Sequence, residues 1–209
     1  MLFGPGQRIV FIGDSITDAG RRGPAAPWGS GYVSTVRNLT LARYPGLGLT
    51  FVNRGVSGDT TRDLASRWER DVIAECPDWL SVGIGINDVW RAFGDRPREA
   101  VPLPEYEATL RRLLDRARDA AGARLILIEP YMIEPDRVHA MRRLMDRYGE
   151  TVRRLAADYG AVLVPTQAAF DAALERTTPT DWADDRIHPN GPGHAVIALA
   201  FLRAIGFAL

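Results

Sequence analysis

Three residues of this sequence have the types that nucleophilic acyl transfer requires: a serine, a histidine and an aspartate. Ser15 ends the segment Gly13-Asp14-Ser15, in which the glycine permits a sharp turn or a close approach. Ser15 would attack a carbonyl carbon, and histidine is the residue type suited to accept the hydroxyl proton, a role for His188. Asp185 precedes His188 by three residues, so a short turn can bring its carboxylate to the other ring nitrogen. We therefore expect Ser15 as nucleophile, His188 as base and Asp185 as the residue that orients the base.

The tetrahedral intermediate of such a reaction also needs hydrogen-bond donors for its oxyanion. The backbone N–H groups of Ser15 and Gly58 and the side-chain amide of Asn87 can supply three. Gly58 lies in a glycine-containing turn after one predicted strand, and Asn87 follows another. These three residues are the predicted oxyanion hole.

Five apolar runs that are typical of buried strands alternate with amphipathic helical patterns. The strands are predicted at 9–12, 49–53, 79–86, 125–128 and 161–164, and the clearest helices at 32–44, 104–121, 136–159 and 192–206. Such alternation predicts a mainly parallel sheet with helices on both faces. The carboxyl ends of parallel strands meet at one edge, which can bring Ser15 and His188 together.

Composition indicates an ordinary globular chain, for which we expect one domain over residues 1–209. Hydrophobic residues make up 46% and charged residues 25%, and 26 basic residues balance 26 acidic ones. No basic surface for nucleic acid and no membrane-spanning run is expected, and the partner should be small and neutral. The single cysteine, Cys76, cannot form an internal disulfide and is expected to be a buried thiol. With no leader-like N-terminal segment, these features predict a cytoplasmic protein.

Four short motifs resemble the four sequence blocks of the SGNH (GDSL-type) hydrolases, in the same order. They are Gly13-Asp14-Ser15, Gly58, Gly85-x-Asn87-Asp88 and Asp185-x-x-His188. By position, the resemblance implies the roles already expected for Ser15, Asp185 and His188, and oxyanion roles for Gly58 and Asn87. It also implies an α/β fold, a flavodoxin-like three-layer α/β/α sandwich with a five-stranded parallel sheet, and a site at the strand ends.

Further segments resemble the intracellular bacterial acetylxylan esterases of this superfamily, among them 87–91, 106–111, 141–143, 166–170 and 201–207. This resemblance implies a serine esterase that removes acetyl groups from xylo-oligosaccharides, with no cofactor and no metal. The chain is compatible with a homo-oligomer, although no residues identify an interface. An aromatic residue is expected just before the catalytic aspartate, but Asp184 stands there, with Trp182 two residues earlier.

Asp14, Trp90 and Trp182 are candidates for contact with the substrate. Asp14 has the alternative of capping a helix, and either tryptophan can be a packing residue. The polar character of these surroundings favours a short acyl group on a sugar.

Three other functions remain as alternatives to be weighed against the structure. The same triad can serve a lipid-type esterase, a lysophospholipase or a thioesterase, which would need an apolar groove for the acyl chain. Metal-dependent hydrolysis is an alternative because several acidic and histidine residues lie close in sequence: Asp181, Asp184, Asp185, His188 and His194. However, no recognised metal-ligand spacing is present. The glycine turn at 55–60 lacks the pattern of a nucleotide-binding loop.

Overall fold

A five-stranded parallel sheet in the order β2-β1-β3-β4-β5 forms the centre of the computed structural model, which describes residues 1–208. The strands are β1 (Arg8–Gly13), β2 (Thr50–Gly55), β3 (Trp79–Gly83), β4 (Arg124–Ile128) and β5 (Val162–Val164). Leu209, the last residue of the predicted domain, lies outside the described residues. This order is that of flavodoxin-like folds, and it reverses direction between β1 and β3, where such sheets bind ligands.

Helices cover both faces of the sheet, as expected for parallel strands that are joined by helical crossovers. They are α1 (Ser15–Asp18), α2 (Tyr32–Arg43), α3 (Thr61–Asp71), α4 (Ile86–Trp90), α5 (Leu103–Ala121), α6 (Ala140–Tyr159), α7 (Thr166–Leu174) and α8 (Gly191–Ala204). Helices α3, α5 and α6 pack on one face of the sheet, and α2, α7 and α8 pack on the other. The three-layer α/β/α architecture expected from the sequence is confirmed. A helix with the length and apolarity to span a membrane does not occur within residues 1–208.

Strand β1 shows why the sequence of a central strand is apolar throughout. Val10 and Ile12 point into the layer of α3, α5 and α6, whereas Ile9 and Phe11 point into the layer of α2, α7 and α8. All four side chains are fully buried. Because both faces of a parallel sheet are covered, neither set can be polar.

A row of glycines at the carboxyl edge of the sheet lets α1 lie directly on the strand ends. Gly13 is in register with Gly55 on β2 and with Gly83 on β3. A Cβ atom on Gly55 would lie 2.2 Å from the backbone nitrogen of Asp18, and one on Gly13 would lie 2.5 Å from Thr17 Oγ1. Side chains at these positions would displace α1, so the glycines set the height of the helix that begins at Ser15.

Two predicted features differ from the structure. The third strand ends at Gly83 and not at Ile86, because Gly85 adopts a φ of 135° that turns the chain out of the sheet. The turn places Asn87 in the first turn of α4. Cys76 is exposed and not buried, since it ends a short 3₁₀ turn in a left-handed conformation, with a φ of 48°.

Candidate active site

Ser15 is the first residue of the short helix α1, immediately after β1. The Asp14 carboxylate caps this helix by accepting a hydrogen bond of 3.0 Å from the Ile16 N–H. Asp14 is only 2% exposed, so its side chain faces the interior. This placement agrees with the alternative of a helix cap, and contact of Asp14 with a substrate stays a prediction.

The structure brings Ser15, His188 and Asp185 into one hydrogen-bonded chain. His188 Nε2 lies 3.0 Å from Ser15 Oγ, across 173 residues of sequence. On the other side of the ring, His188 Nδ1 lies 2.7 Å from Asp185 Oδ2. Both distances are those of hydrogen bonds. The His188 ring is about two-fifths exposed, so the chain of three side chains opens to the surface.

The Asp185 carboxylate also organises the loop that carries His188. Its second oxygen, Oδ1, accepts hydrogen bonds from the backbone N–H groups of Ile187 at 2.9 Å and His188 at 2.8 Å. Partial burial acts to raise the pKa of Asp185, but the hydrogen bonds from the His188 ring and from these two amides outweigh it and lower the pKa below its ordinary value. Asp185 is therefore an anion at neutral pH.

The loop is fixed to the segment that follows β4. Ile133 N–H donates to the Arg186 carbonyl at 2.9 Å, and Arg186 forms an ion pair with Glu134. The Tyr131 hydroxyl donates to the Ile187 carbonyl at 3.3 Å. Contacts remote in sequence thus hold the two residues that precede His188.

The predicted oxyanion donors are Ser15 at the start of α1, Gly58 in the turn after β2 and Asn87 in α4, and hydrogen bonds join that turn to the α4 segment. The Asn87 amide donates to the Asp59 carbonyl at 3.0 Å, which leaves its second N–H available. Arg91 donates to the Gly58 carbonyl at 2.5 Å. Among residues 1–208, no acceptor engages the backbone N–H of Ser15 or of Gly58. Both N–H groups are therefore free to receive an oxyanion.

Arg67 is a buried residue of the site that the sequence interpretation missed. Its guanidinium donates to the Gly13 carbonyl at 3.1 Å, to the Arg54 carbonyl at 2.7 Å and to the Asp59 carboxylate at 2.6 Å. It thereby ties the ends of β1 and β2 to the turn that contains Gly58. The sequence feature that could have revealed Arg67 is a charged residue on the buried face of α3, between Leu64 and Trp68.

Asp14, Asp59 and Asp88 are three buried carboxyl groups beneath the site. Burial raises the pKa of Asp14 to about 7, and the charges of the other two add to the effect. Burial likewise raises the pKa of Asp88 to about 6, against the hydrogen bonds that Thr61 donates to its Oδ1. Within the described chain, the other oxygen of Asp88 is buried without a partner.

The two tryptophans that were candidates for substrate contact occupy different places. Trp90 packs edge-on against the His188 ring, with centroids 5.3 Å apart and an interplanar angle of 67°. Trp182 donates its indole N–H to Thr177 at 2.8 Å and packs against the apolar layer of α7 and α8. Asp184 is exposed. Only Trp90 is therefore in contact with the triad.

A surface cavity of about 250 Å³, which we call the Trp90 cavity, borders the oxyanion residues. It is lined by Gly58, Asn87, Trp90, Arg91 and residues 94–96. A second, smaller cavity of about 30 Å³ lies under α1 and is lined mainly by apolar side chains and Asp14. None of Ser15, Asp185 and His188 lines the Trp90 cavity, and its Trp90 side chain contacts the His188 ring.

The acidic and histidine residues near the end of the chain do not form a shared metal cluster. Asp181 accepts hydrogen bonds from Thr178 in a capping turn, and Asp185 is bound to His188. His194 accepts from the Tyr32 N–H at 3.3 Å, and burial lowers the pKa of its ring to about 4. Across residues 1–208, no three His, Cys, Asp or Glu side chains are grouped to hold a metal ion.

Comparison with known proteins gives full-length matches to esterases. The acetylxylan esterase of Geobacillus stearothermophilus is 47% identical over 215 residues, which covers 99% of this chain and 97% of that protein. The crystal structure of Axe2, an acetylxylan esterase of the same species, matches with a TM-score of 0.96 at 46% identity, over 100% of this chain and 98% of the other. Three solved variants of Axe2 are described as catalytic mutants. They replace a serine, an aspartate and a histidine, the last two being three residues apart.

Two further matches extend the comparison. LAE5, an alpha/beta hydrolase enzyme from the metagenome of Lake Arreo, Spain, has a TM-score of 0.94 at 47% identity, over 99% of this chain and 98% of the other. The thioesterase 1/protease 1/lysophospholipase L1 of Escherichia coli is 25% identical over 190 residues, covering 91% of this chain and 79% of that protein. Residues 11–196 match the GDSL-like lipase/acylhydrolase family. The chain belongs to this family, and it is a serine carboxylic-ester hydrolase.

Proposed function

We propose that this protein removes acetyl groups from acetylated xylo-oligosaccharides, with Ser15, His188 and Asp185 as its catalytic triad. The observation that carries the proposal is the continuous chain from Ser15 Oγ through both His188 nitrogens to Asp185. The aspartate and histidine have the same spacing as the residues changed in the Axe2 catalytic mutants. The full-length similarity to an acetylxylan esterase supports the substrate class.

The first half of the reaction transfers the acetyl group to the enzyme. Ionised Asp185 accepts the Nδ1–H of His188, so Nε2 is left unprotonated and accepts the proton of Ser15. Ser15 Oγ attacks the ester carbonyl carbon while its proton moves to His188 Nε2. The negative oxygen that results is bound by the N–H groups of Ser15 and Gly58 and by the Asn87 amide. When the bond to the sugar oxygen breaks, His188 gives that oxygen its proton, which leaves acetyl-Ser15.

The second half returns the enzyme to its starting state with water in place of the sugar. His188 Nε2 takes a proton from water as the water oxygen attacks the acetyl carbonyl. The same three donors bind the second oxyanion. Acetic acid leaves when the bond to Ser15 Oγ breaks and His188 returns the proton to that oxygen, and the released acid then ionises to acetate in water.

The decisive experiment measures acetate release from acetylated xylo-oligosaccharides by the wild type and by Ser15→Ala, with an octanoyl ester as the comparison substrate. We expect rapid acetate release, slow octanoyl hydrolysis and a loss of about 10⁴-fold or more in kcat for the variant. Faster octanoyl cleavage that still depends on Ser15 would keep the triad but move the enzyme to the lipid-type esterases. Hydrolysis that survives Ser15→Ala would contradict the mechanism.

We also propose that the enzyme acts in the cytoplasm. The lone cysteine, Cys76, is an exposed thiol, and free thiols persist in reducing compartments. Fractionation of the source cells tests this, because activity recovered mainly from the medium or the cell envelope would contradict it.

A further inference from the structure

The Trp90 cavity is next to the His188 ring through one of its lining side chains, Trp90. His188 Nε2 has to protonate the departing sugar oxygen, so the alcohol part of the substrate lies beside the His188 ring. The Trp90 ring contacts that ring edge-on, at a centroid distance of 5.3 Å. The cavity also borders Gly58 and Asn87, which are positioned to bind the carbonyl oxygen of the same ester.

The size of the cavity suits a ring and not only a solvent molecule. Its volume of about 250 Å³ is well above the ~10–15 Å³ that one water requires. Trp90 is 37% exposed, so part of its flat apolar surface is open to a ligand. A sugar ring has C–H groups that can pack on an indole and hydroxyl groups that can bond to polar neighbours.

The charges around the cavity are paired with one another. Arg91 bonds to the Gly58 carbonyl and to Glu99, the latter at 2.9 Å. Arg96 lies 3.6 Å from Glu99 and 3.9 Å from Asp95. The cavity is lined by Arg91, Arg96 and Asp95, and Glu99, which lies outside the lining, pairs with both arginines. The two positive charges at the cavity are therefore balanced by two carboxylates. An uncharged polyhydroxyl group fits this lining better than the phosphate of a lysophospholipid or of a coenzyme A thioester.

We propose that the Trp90 cavity is the subsite for the sugar ring that bears the scissile acetyl group, an uncharged pyranose that packs on the indole of Trp90. This inference rests on the proposed function and specifies where its substrate binds. Trp90 is then a specificity-determining residue, and Arg91 links the subsite to the oxyanion turn through its hydrogen bond to Gly58.

The test compares two acetate esters that differ only in the alcohol: monoacetylated xylobiose, which has the ring, and ethyl acetate, which lacks it. The quantity measured is the ratio of the two kcat/KM values for the wild type, Trp90→Ala and Trp90→Phe. We expect Trp90→Ala to lower the ratio about tenfold or more through the KM of the sugar ester, as for the loss of ~1.4 kcal/mol of binding. Trp90→Phe keeps a flat apolar face and should recover part of the loss.

Phe93→Ala is the matched control, because Phe93 is an exposed aromatic residue of the same segment, 48% exposed, that does not line the cavity. It should leave the ratio at the wild-type value. Gly94→Leu provides an independent test, because a Cβ there would meet only the Trp90 carbonyl, at 3.8 Å. The larger side chain should fill the cavity and lower the ratio without removing a contact.

The outcomes separate the subsite from the function itself. An unchanged ratio in both Trp90→Ala and Gly94→Leu, in an enzyme that does cleave acetylated xylobiose, would overturn the subsite and leave the proposed function standing. If the ratio falls equally in Phe93→Ala and Trp90→Ala, the effect comes from the fold of residues 90–96, and the stacking role of Trp90 is overturned. Failure of the wild type to cleave the sugar ester would overturn both proposals.

Discussion

Replacement of Asp185 by asparagine should inactivate the enzyme while its fold is retained. In the wild type, Oδ1 accepts from two backbone N–H groups, at 2.9 and 2.8 Å, and Oδ2 accepts from His188 Nδ1 at 2.7 Å. An asparagine must turn its oxygen toward the two backbone donors, because an NH₂ group there would face them without an acceptor. Its NH₂ then faces Nδ1. The imidazole is forced into the tautomer that carries its proton on Nε2, and it can no longer accept the proton of Ser15.

The size of the expected fall in kcat follows because the His188 ring keeps its position but no longer acts as a base. A wrong tautomer of this kind lowers kcat by about 10⁴-fold, equivalent to about 5.5 kcal/mol of activation free energy. Because both backbone N–H groups keep their acceptor, Asp185→Asn should lower the free energy of unfolding by less than about 1 kcal/mol. Asp185→Ala removes that acceptor but lets the ring choose either tautomer. It should therefore be the less stable variant and the more active of the two.

The assay is steady-state acetate release together with thermal unfolding of the same preparations. Asp184→Asn is the control, since it makes the same change one residue earlier at an exposed position, and it should match the wild type in both measurements. The reasoning is refuted if Asp185→Asn keeps more than about a tenth of the wild-type kcat. It is also refuted if the alanine variant is both the more stable and the less active one.

Three further outcomes are expected. Asn87→Ala should lower kcat by about 10²–10³-fold, and an unchanged rate would remove the oxyanion role of its amide. Gly55→Ala should lower the free energy of unfolding by about 1–3 kcal/mol, because its Cβ would lie 2.2 Å from the Asp18 nitrogen; thermal unfolding at the wild-type temperature would contradict this close contact. Burial raises the pKa of Asp14 from 3.8 to about 7, so the folded state holds this proton more tightly than the unfolded chain. Protonated Asp14 therefore contributes to the free energy of unfolding at low pH, and this contribution is lost as pH rises from about 4 to about 7. Asp14→Asn should therefore flatten the fall of unfolding free energy across that range in denaturant titrations, and parallel profiles for variant and wild type would be evidence against it.

Local sequence determined the elements of this protein and the short-range part of its site. The apolar run of β1 and the stop at Gly13-Asp14-Ser15 predicted a buried strand with a serine at its end, which is where the structure has them. The spacing of Asp185 and His188 predicted a contact that one turn of chain can make, and their side chains are 2.7 Å apart. Such features are accessible from sequence because they depend on side-chain periodicity and on residues within a few positions of each other.

Tertiary structure decided the features that depend on burial and on long-range approach. The hydrogen bond between Ser15 and His188 joins residues 173 positions apart, and only the parallel sheet brings them together. Cys76 was expected to be buried and is exposed, because a left-handed turn directs it outward. The role of Arg67 was not visible in the sequence, since it ties the site together through the backbone carbonyls of Gly13 and Arg54 at the ends of β1 and β2. Backbone groups have no residue type by which a sequence can identify them, so the contacts that align the proposed nucleophile with the predicted oxyanion donors exist only once the strands have paired.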